Sequence, residues 1–190
     1  MLLSASSPAG AARNFQLKGV NELGGGIGVS GGLSDWSPGG FKWFNDYSRA
    51  LTQLVWLNVQ LNVSTGGSNY CWVDKGVTRC DWNGPYRYDH FGGTALEAAV
   101  GVKLKWRLRH VPLQFHAKIG GCLDGLFLWG GVKGVAIGPR GGFGIRYFFV
   151  PTFGLGAEII WSIGPAFLNQ GVGVRLWSTL DFNLGVEWRF

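Results

Sequence analysis

No stretch of the 190 residues reaches the eighteen or so consecutive apolar residues that a membrane helix needs, although hydrophobic residues make up 46% of the chain. Charge is scarce at 15%, and the Lys and Arg residues behind the formal charge of +6 stand singly along alternating segments. Without a basic stripe or helix, nucleic acid is not an expected partner. Asp74, Asp81, Asp89 and His90 have no recognised ligand spacing, so no metal site is expected and these acids read as solvated loop residues. Gly26–Gly31 fits G-x-G-x-x-G, but no helix or βαβ unit follows to cradle a phosphate, and its glycines read as relief of crowding. His116 and Cys122 face the same way about three side-chain steps apart, His110 sits in a turn, and Ser162, Ser178 and His90 form no nucleophile–base constellation. The chain therefore reads as a non-enzyme with no cofactor.

What the sequence does have is aromatic residues, glycine and a period of two. It carries 33 Gly, 13 Phe and 10 Trp. Leu180, Phe182, Leu184, Val186, Trp188 and Phe190 alternate with Thr179, Asp181, Asn183, Gly185, Glu187 and Arg189, which is a strand with two unlike faces. The alternation runs back through Ser178, Leu176, Val174 and Val172. The same pattern marks 14–33, Val55–Val63, Thr94–Arg109, Leu113–Leu123, Val135–Phe149 and Phe153–Ser162. Phe41–Tyr47 is the expected second strand, with a short helix over Asn45–Leu54 as its competitor, and the total is eight strands. Connections near 34–40, 64–93, 124–133 and 164–170 alternate with tighter ones near 48–53, 110–111 and 150–151.

Asn183-Leu184-Gly185-Val186-Glu187-Trp188-Arg189-Phe190 resembles the carboxy-terminal assembly signal of bacterial outer-membrane β-barrels, with Asn183, Gly185, Trp188 and Phe190 at its fixed positions. Over 14–190 the chain resembles the family of small eight-stranded outer-membrane proteins. The expected fold is all-β, a closed antiparallel up-and-down transmembrane barrel, because open sheet edges cannot sit in lipid. The resemblance implies the bacterial outer membrane with both termini periplasmic. It also implies lipid, lipopolysaccharide and the barrel assembly machinery as partners, with a large extracellular loop at about 64–93 that could hold a further envelope protein.

Aromatics at the short-turn side, Phe15, Trp106, Tyr147, Phe149, Phe153, Trp188 and Phe190, read as an interfacial girdle, which turns the apolar face toward lipid. The lumen then receives Lys18, Glu22, Glu97, Lys103, Lys105, Arg107, Lys118, Arg146, Glu158, Arg175, Asp181, Glu187 and Arg189. Buried charges must pair. Glu158 with Arg175 and Glu187 with Lys18 are the expected pairs, and the excess of bases suggests trapped waters or an anion. Residues 1–13 read as a signal remnant or disordered leader. Cys71 and Cys80, nine apart in the polar segment of an exported chain, are an expected disulfide, with two free thiols as the alternative. The expected function is a non-enzymatic barrel that anchors loops for envelope structure, adhesion or a partner complex. A lipid A-modifying enzyme and a narrow channel remain as alternatives.

Overall fold

A computed structural model describes residues 19–34, 36–66, 70–74, 77–81, 92–108 and 111–190, with only the backbone described over 70–74 and 77–81. The strands are β1 (Asn21–Gly32), β2 (Gly40–Ala50), β3 (Val55–Gly66), β4 (Tyr70–Asp74), β5 (Val77–Asp81), β6 (Gly93–Arg107), β7 (Leu113–Leu128), β8 (Lys133–Val150), β9 (Phe153–Leu168) and β10 (Gly173–Arg189). Eight of them close into a barrel in the order β1-β10-β9-β8-β7-β6-β3-β2, and every pairing is antiparallel. β4 and β5 form a separate hairpin within the connection from β3 to β6.

β10 closes the barrel against β1, with Glu22 opposite Arg189 and Ser30 opposite Asp181. Backbone bonds of 3.0 Å in both directions between Asn21 and Phe190 carry the seam to the last residue. β2 continues through Ala50, so the competing helix over Asn45–Leu54 does not form.

Two connections expected as loops are strand. β7 runs through Asp124 to Leu128, and β9 runs through Gly164 to Leu168, each ending in a turn of four residues, 129–132 and 169–172. The inward residues there, Leu126, Leu128, Ala166 and Leu168, are as apolar as the outward Phe127 and Phe167, so the period-two signal fades while the strand continues. The loop-length asymmetry thus rests on 33–39 and 67–92, since the other connections span two to five residues. Below, the end carrying 33–39, 67–92, 129–132 and 169–172 is the loop end, and the end carrying Phe190 is the terminal end.

Candidate functional site: a charged lumen inside an apolar wall

Alternation sends successive side chains to opposite faces of the barrel wall, and here the outward set is the apolar one. Ile119, Phe143, Leu184 and Trp43 are 68%, 65%, 64% and 60% exposed. Among the described residues, 26 polar or charged residues are buried against 16 hydrophobic ones, the reverse of a soluble core. The charged residues on the outward rows of the strands whose side chains are described are Arg49 at the terminal end of β2 and Lys133 at the loop end of β8. Trp106, Tyr147, Phe149, Phe153, Trp188 and Phe190 are exposed at the terminal end, while Phe15 lies outside the described residues.

The lumen is filled by ion pairs. Lys42, Lys103, Lys105, Lys118, Arg140, Arg146 and Arg189 share it with Glu22, Asp46, Glu97, Asp124, Glu158, Asp181 and Glu187. Among the described residues seven cations balance seven carboxylates, and the expected excess of bases is not seen there.

Near the terminal end, Glu187 lies 3.0 Å from Lys103 and 3.6 Å from each of Lys105, Arg146 and Arg189. Glu22 binds Arg189 Nε at 2.7 Å and also pairs with Lys105. At mid-height, Glu158 takes Lys118 at 2.9 Å, Arg146 at 3.2 Å, His116 Nε2 at 3.2 Å and the Asn183 amide at 3.2 Å. Asp46 takes Lys118 at 2.5 Å and Lys103 at 3.7 Å. Toward the loop end, Glu97 accepts from Asn62 at 2.6 Å and pairs with Arg140 at 2.6 Å and Lys42 at 3.5 Å. Asp181 accepts from Ser30 at 2.7 Å and pairs with Lys42. Asp124 stands directly across the strand pair from Glu97, and its buried Oδ2 has no hydrogen-bond partner.

Two expected network members lie outside it. Arg175 is exposed opposite Ala166, because β9 is longer than expected, and Glu158 meets Asn183 instead. The Arg175 guanidinium lies 5.9 Å from the Trp36 ring. Arg107 has inward parity, but β6 ends there and leaves it exposed at the rim. Lys18 lies outside the described residues, so its pairing with Glu187 does too. Conversely, Lys42, Asp46, Asp124 and Arg140 join the network without having been counted in it. On β2 the alternation is blurred by Asn45 and Arg49 outside and Phe44 inside, and the sequence around Asp124 reads as a loop.

Gly156 and Gly185 illustrate how glycine makes room for the packing. A Cβ on Gly156 would strike the Arg146 stem. One on Gly185 would lie 2.7 Å from the Phe44 ring and 2.7 Å from Gly25 O. Of the other terminal-motif residues, Asn183 is buried on Glu158, while Trp188 and Phe190 point outward with ring centroids 5.4 Å apart.

Among the described residues, apolar side chains flank the charged region at both ends. At the loop end Leu126, Leu128, Val132, Leu168, Val172 and Trp177 form an apolar stopper. At the terminal end Trp56 lies 3.8 Å below Lys105 Nζ, and Phe148 lies 3.6 Å from the Arg189 guanidinium. Beside Gln60, Lys118 and Arg140 there is a cavity of about 20 Å³, about the space of one water molecule.

The candidate nucleophiles meet no base among the described residues. Cys122 Sγ donates to Gly138 O at 3.5 Å, and Ser178 Oγ donates to Ser162 O while accepting from Trp161 Nε1 at 2.9 Å. His116 is held by Glu158, and His90 and His110 lie outside the described residues. The Gly26–Gly31 run lies inside β1, where Gly26 faces Gly185 across the seam. Asp74 and Asp81 lie on the β4–β5 hairpin, and Asp89 is outside the described residues. On that hairpin the backbone register sets Cys71 directly opposite Cys80.

No protein-family model matches the sequence, and no curated protein matches it either. Solved structures do share its fold. The chain is similar to the N-terminal β-barrel domain of Pseudomonas aeruginosa OprF, with a TM-score of 0.58, 12% identity and coverage of 91% of this chain and 98% of that one. It is similar to Neisserial surface protein A, with a TM-score of 0.59, 12% identity and coverage of 90% and 96%. A third is Ail, the attachment invasion locus protein of Yersinia pestis, with a TM-score of 0.51, 13% identity and coverage of 91% and 99%. These are small eight-stranded outer-membrane barrels, and at such identities the likeness is one of fold.

Proposed function

We propose that this chain, which has the fold of the small eight-stranded outer-membrane barrels, is itself a bacterial outer-membrane protein, non-enzymatic, that anchors the loop-end segment 67–92 for envelope structure, adhesion or a partner complex. The observation that carries the reading is the outward wall, where among the described residues the charged side chains are Arg49 and Lys133, at opposite ends of the barrel. In water such a surface would be an aggregation liability. In a bilayer it supplies the apolar band, and the closed hydrogen-bonded sheet satisfies the backbone.

In this reading the terminal end is periplasmic, with both termini there, and its exposed aromatics form the interfacial girdle. Asn183, Gly185, Trp188 and Phe190 serve as the signal for the barrel assembly machinery. Lys133 and Arg175 at the loop end suit the phosphates of lipopolysaccharide. The register of Cys71 against Cys80 suits a disulfide that pins the β4–β5 hairpin, which an oxidising compartment allows. Filled by ion pairs and stoppered by Leu126, Leu168 and Trp177, the lumen favours an anchor over a channel.

The test is made on the full protein expressed in a bacterium and recovered from the outer membrane. Deleting 67–92 should leave a folded barrel and abolish co-purification of a stoichiometric envelope partner or adhesion. Purified protein should give no steady conductance in planar bilayers and no change in lipid A mass. Steady conductance or altered lipid A would replace this reading with the channel or the enzyme.

A further inference from the structure

We infer that the wall formed by β1 and β2 is the contact surface between two copies of this chain, paired across a two-fold axis along the membrane normal through Asn45. The outward face of β2 reads Phe41, Trp43, Asn45, Tyr47 and Arg49. Arg49 sits at the strand end, and the Tyr47 hydroxyl donates to Asn21 Oδ1 at 2.8 Å. Asn45 is different. It is exposed, its amide makes no hydrogen bond among the described residues, and its cross-strand neighbours are Gly25 and Leu61. With Arg49 at the headgroups, four residues of tilted strand set Asn45 about 10 Å into the apolar band.

Hydrocarbon offers an amide no partner, so an unsatisfied one there is unfavourable. The occupant follows from geometry and chemistry together. Copies inserted in the same direction can be related by a two-fold axis only along the membrane normal, which brings each residue opposite itself at equal depth. A carboxamide has both donor and acceptor, so it is its own complement, and two Asn45 amides exchange two hydrogen bonds. Steric access is open: Asn45 Oδ1 leans over Gly25, where an added Cβ would lie 3.3 Å away, so β1 presents a notch beside the amide. Trp43, 60% exposed, stands as the adjoining knob.

The inference rests on the membrane-spanning reading, and the experiment separates the two. The full protein, with Cys71 and Cys80 replaced by Ser, is inserted into phosphatidylethanolamine–phosphatidylglycerol vesicles, with strand circular dichroism and protease protection as the checks of insertion. Oxidation should trap a covalent dimer from Asn45→Cys and not from Ile145→Cys, which lies on β8 across the barrel from β2. In parallel, sedimentation equilibrium in density-matched micelles should show a dimer for the parent chain and for Asn45→Gln. Asn45→Leu should fold and dissociate on the order of ten-fold more readily. An inserted chain that is monomeric throughout, traps equally at both sites, or is unaffected by Asn45→Leu overturns the dimer. A chain that does not insert contradicts the membrane reading itself.

Discussion

Glu187 is the residue on which the lumen's balance can be tested most sharply. Its carboxylate lies 3.0 Å from Lys103 and 3.6 Å from Lys105, Arg146 and Arg189. Glu187→Gln preserves its size and leaves seven cations facing six carboxylates in a space with little room for water. Truncating one member of a buried ion pair costs roughly 3–5 kcal/mol, because the partner is left charged and uncompensated. Sharing of the remaining charges by Glu22 and Glu158 sets the expectation at the lower end, about 3 kcal/mol. Urea titration of the vesicle-inserted barrel, followed by tryptophan fluorescence, measures it as a shift in midpoint at constant slope. Lys103→Met combined with Glu187→Gln should recover at least 1 kcal/mol of the summed single costs, since the two groups touch. A loss below about 1 kcal/mol for Glu187→Gln, with no coupling to Lys103, would falsify the picture of a dry, mutually neutralised interior.

Asp124→Asn should behave in the opposite way, leaving stability unchanged or raising it in the same titration, because Asp124 faces Glu97 directly and its Oδ2 has no partner. A loss comparable with that of Glu187→Gln would mean that Asp124 is held by a cation. Gly185→Ala should destabilise by about 1–3 kcal/mol by pressing on the Phe44 ring and Gly25 O, and Phe44→Leu should relieve part of that cost in a double-mutant cycle. Phe190→Ser should reduce outer-membrane yield in cells far more than it lowers the urea midpoint of refolded protein, since its ring is exposed while its backbone closes the seam. Equal effects on both would assign Phe190 to stability alone.

The fold was legible wherever inside and outside differ in polarity. Leu180–Phe190 shows its two faces in the sequence, and Asp181, Glu187 and Arg189 lie in the lumen as their parity requires. The signal fails where the lumen turns apolar. Leu126 and Leu168 match the wall in character, so the ends of β7 and β9 read as loops and Asp124 reads as a loop acid. Misplacing that turn by a few residues also produced the false partner for Glu158, since strand register depends on where the hairpin reverses. Pairings across the lumen, such as Glu187 with Lys103, join strands that are not neighbours, and no local pattern encodes them. β2 hid Lys42 and Asp46 for another reason: Phe44 is turned inward to fill the space left by Gly185, and Asn45 is turned out.

Which face of the wall meets lipid can be measured most directly on β10. Nitroxide labels placed one at a time from Leu180 to Glu187 in the vesicle-inserted protein report collision with oxygen, which concentrates in lipid, and with a water-soluble nickel chelate. Positions 180, 182, 184 and 186 should show high oxygen and low nickel collision, and positions 181, 183, 185 and 187 should be shielded from both. Nickel access at the even positions, or no alternation along the strand, would contradict a barrel with its apolar wall in the membrane.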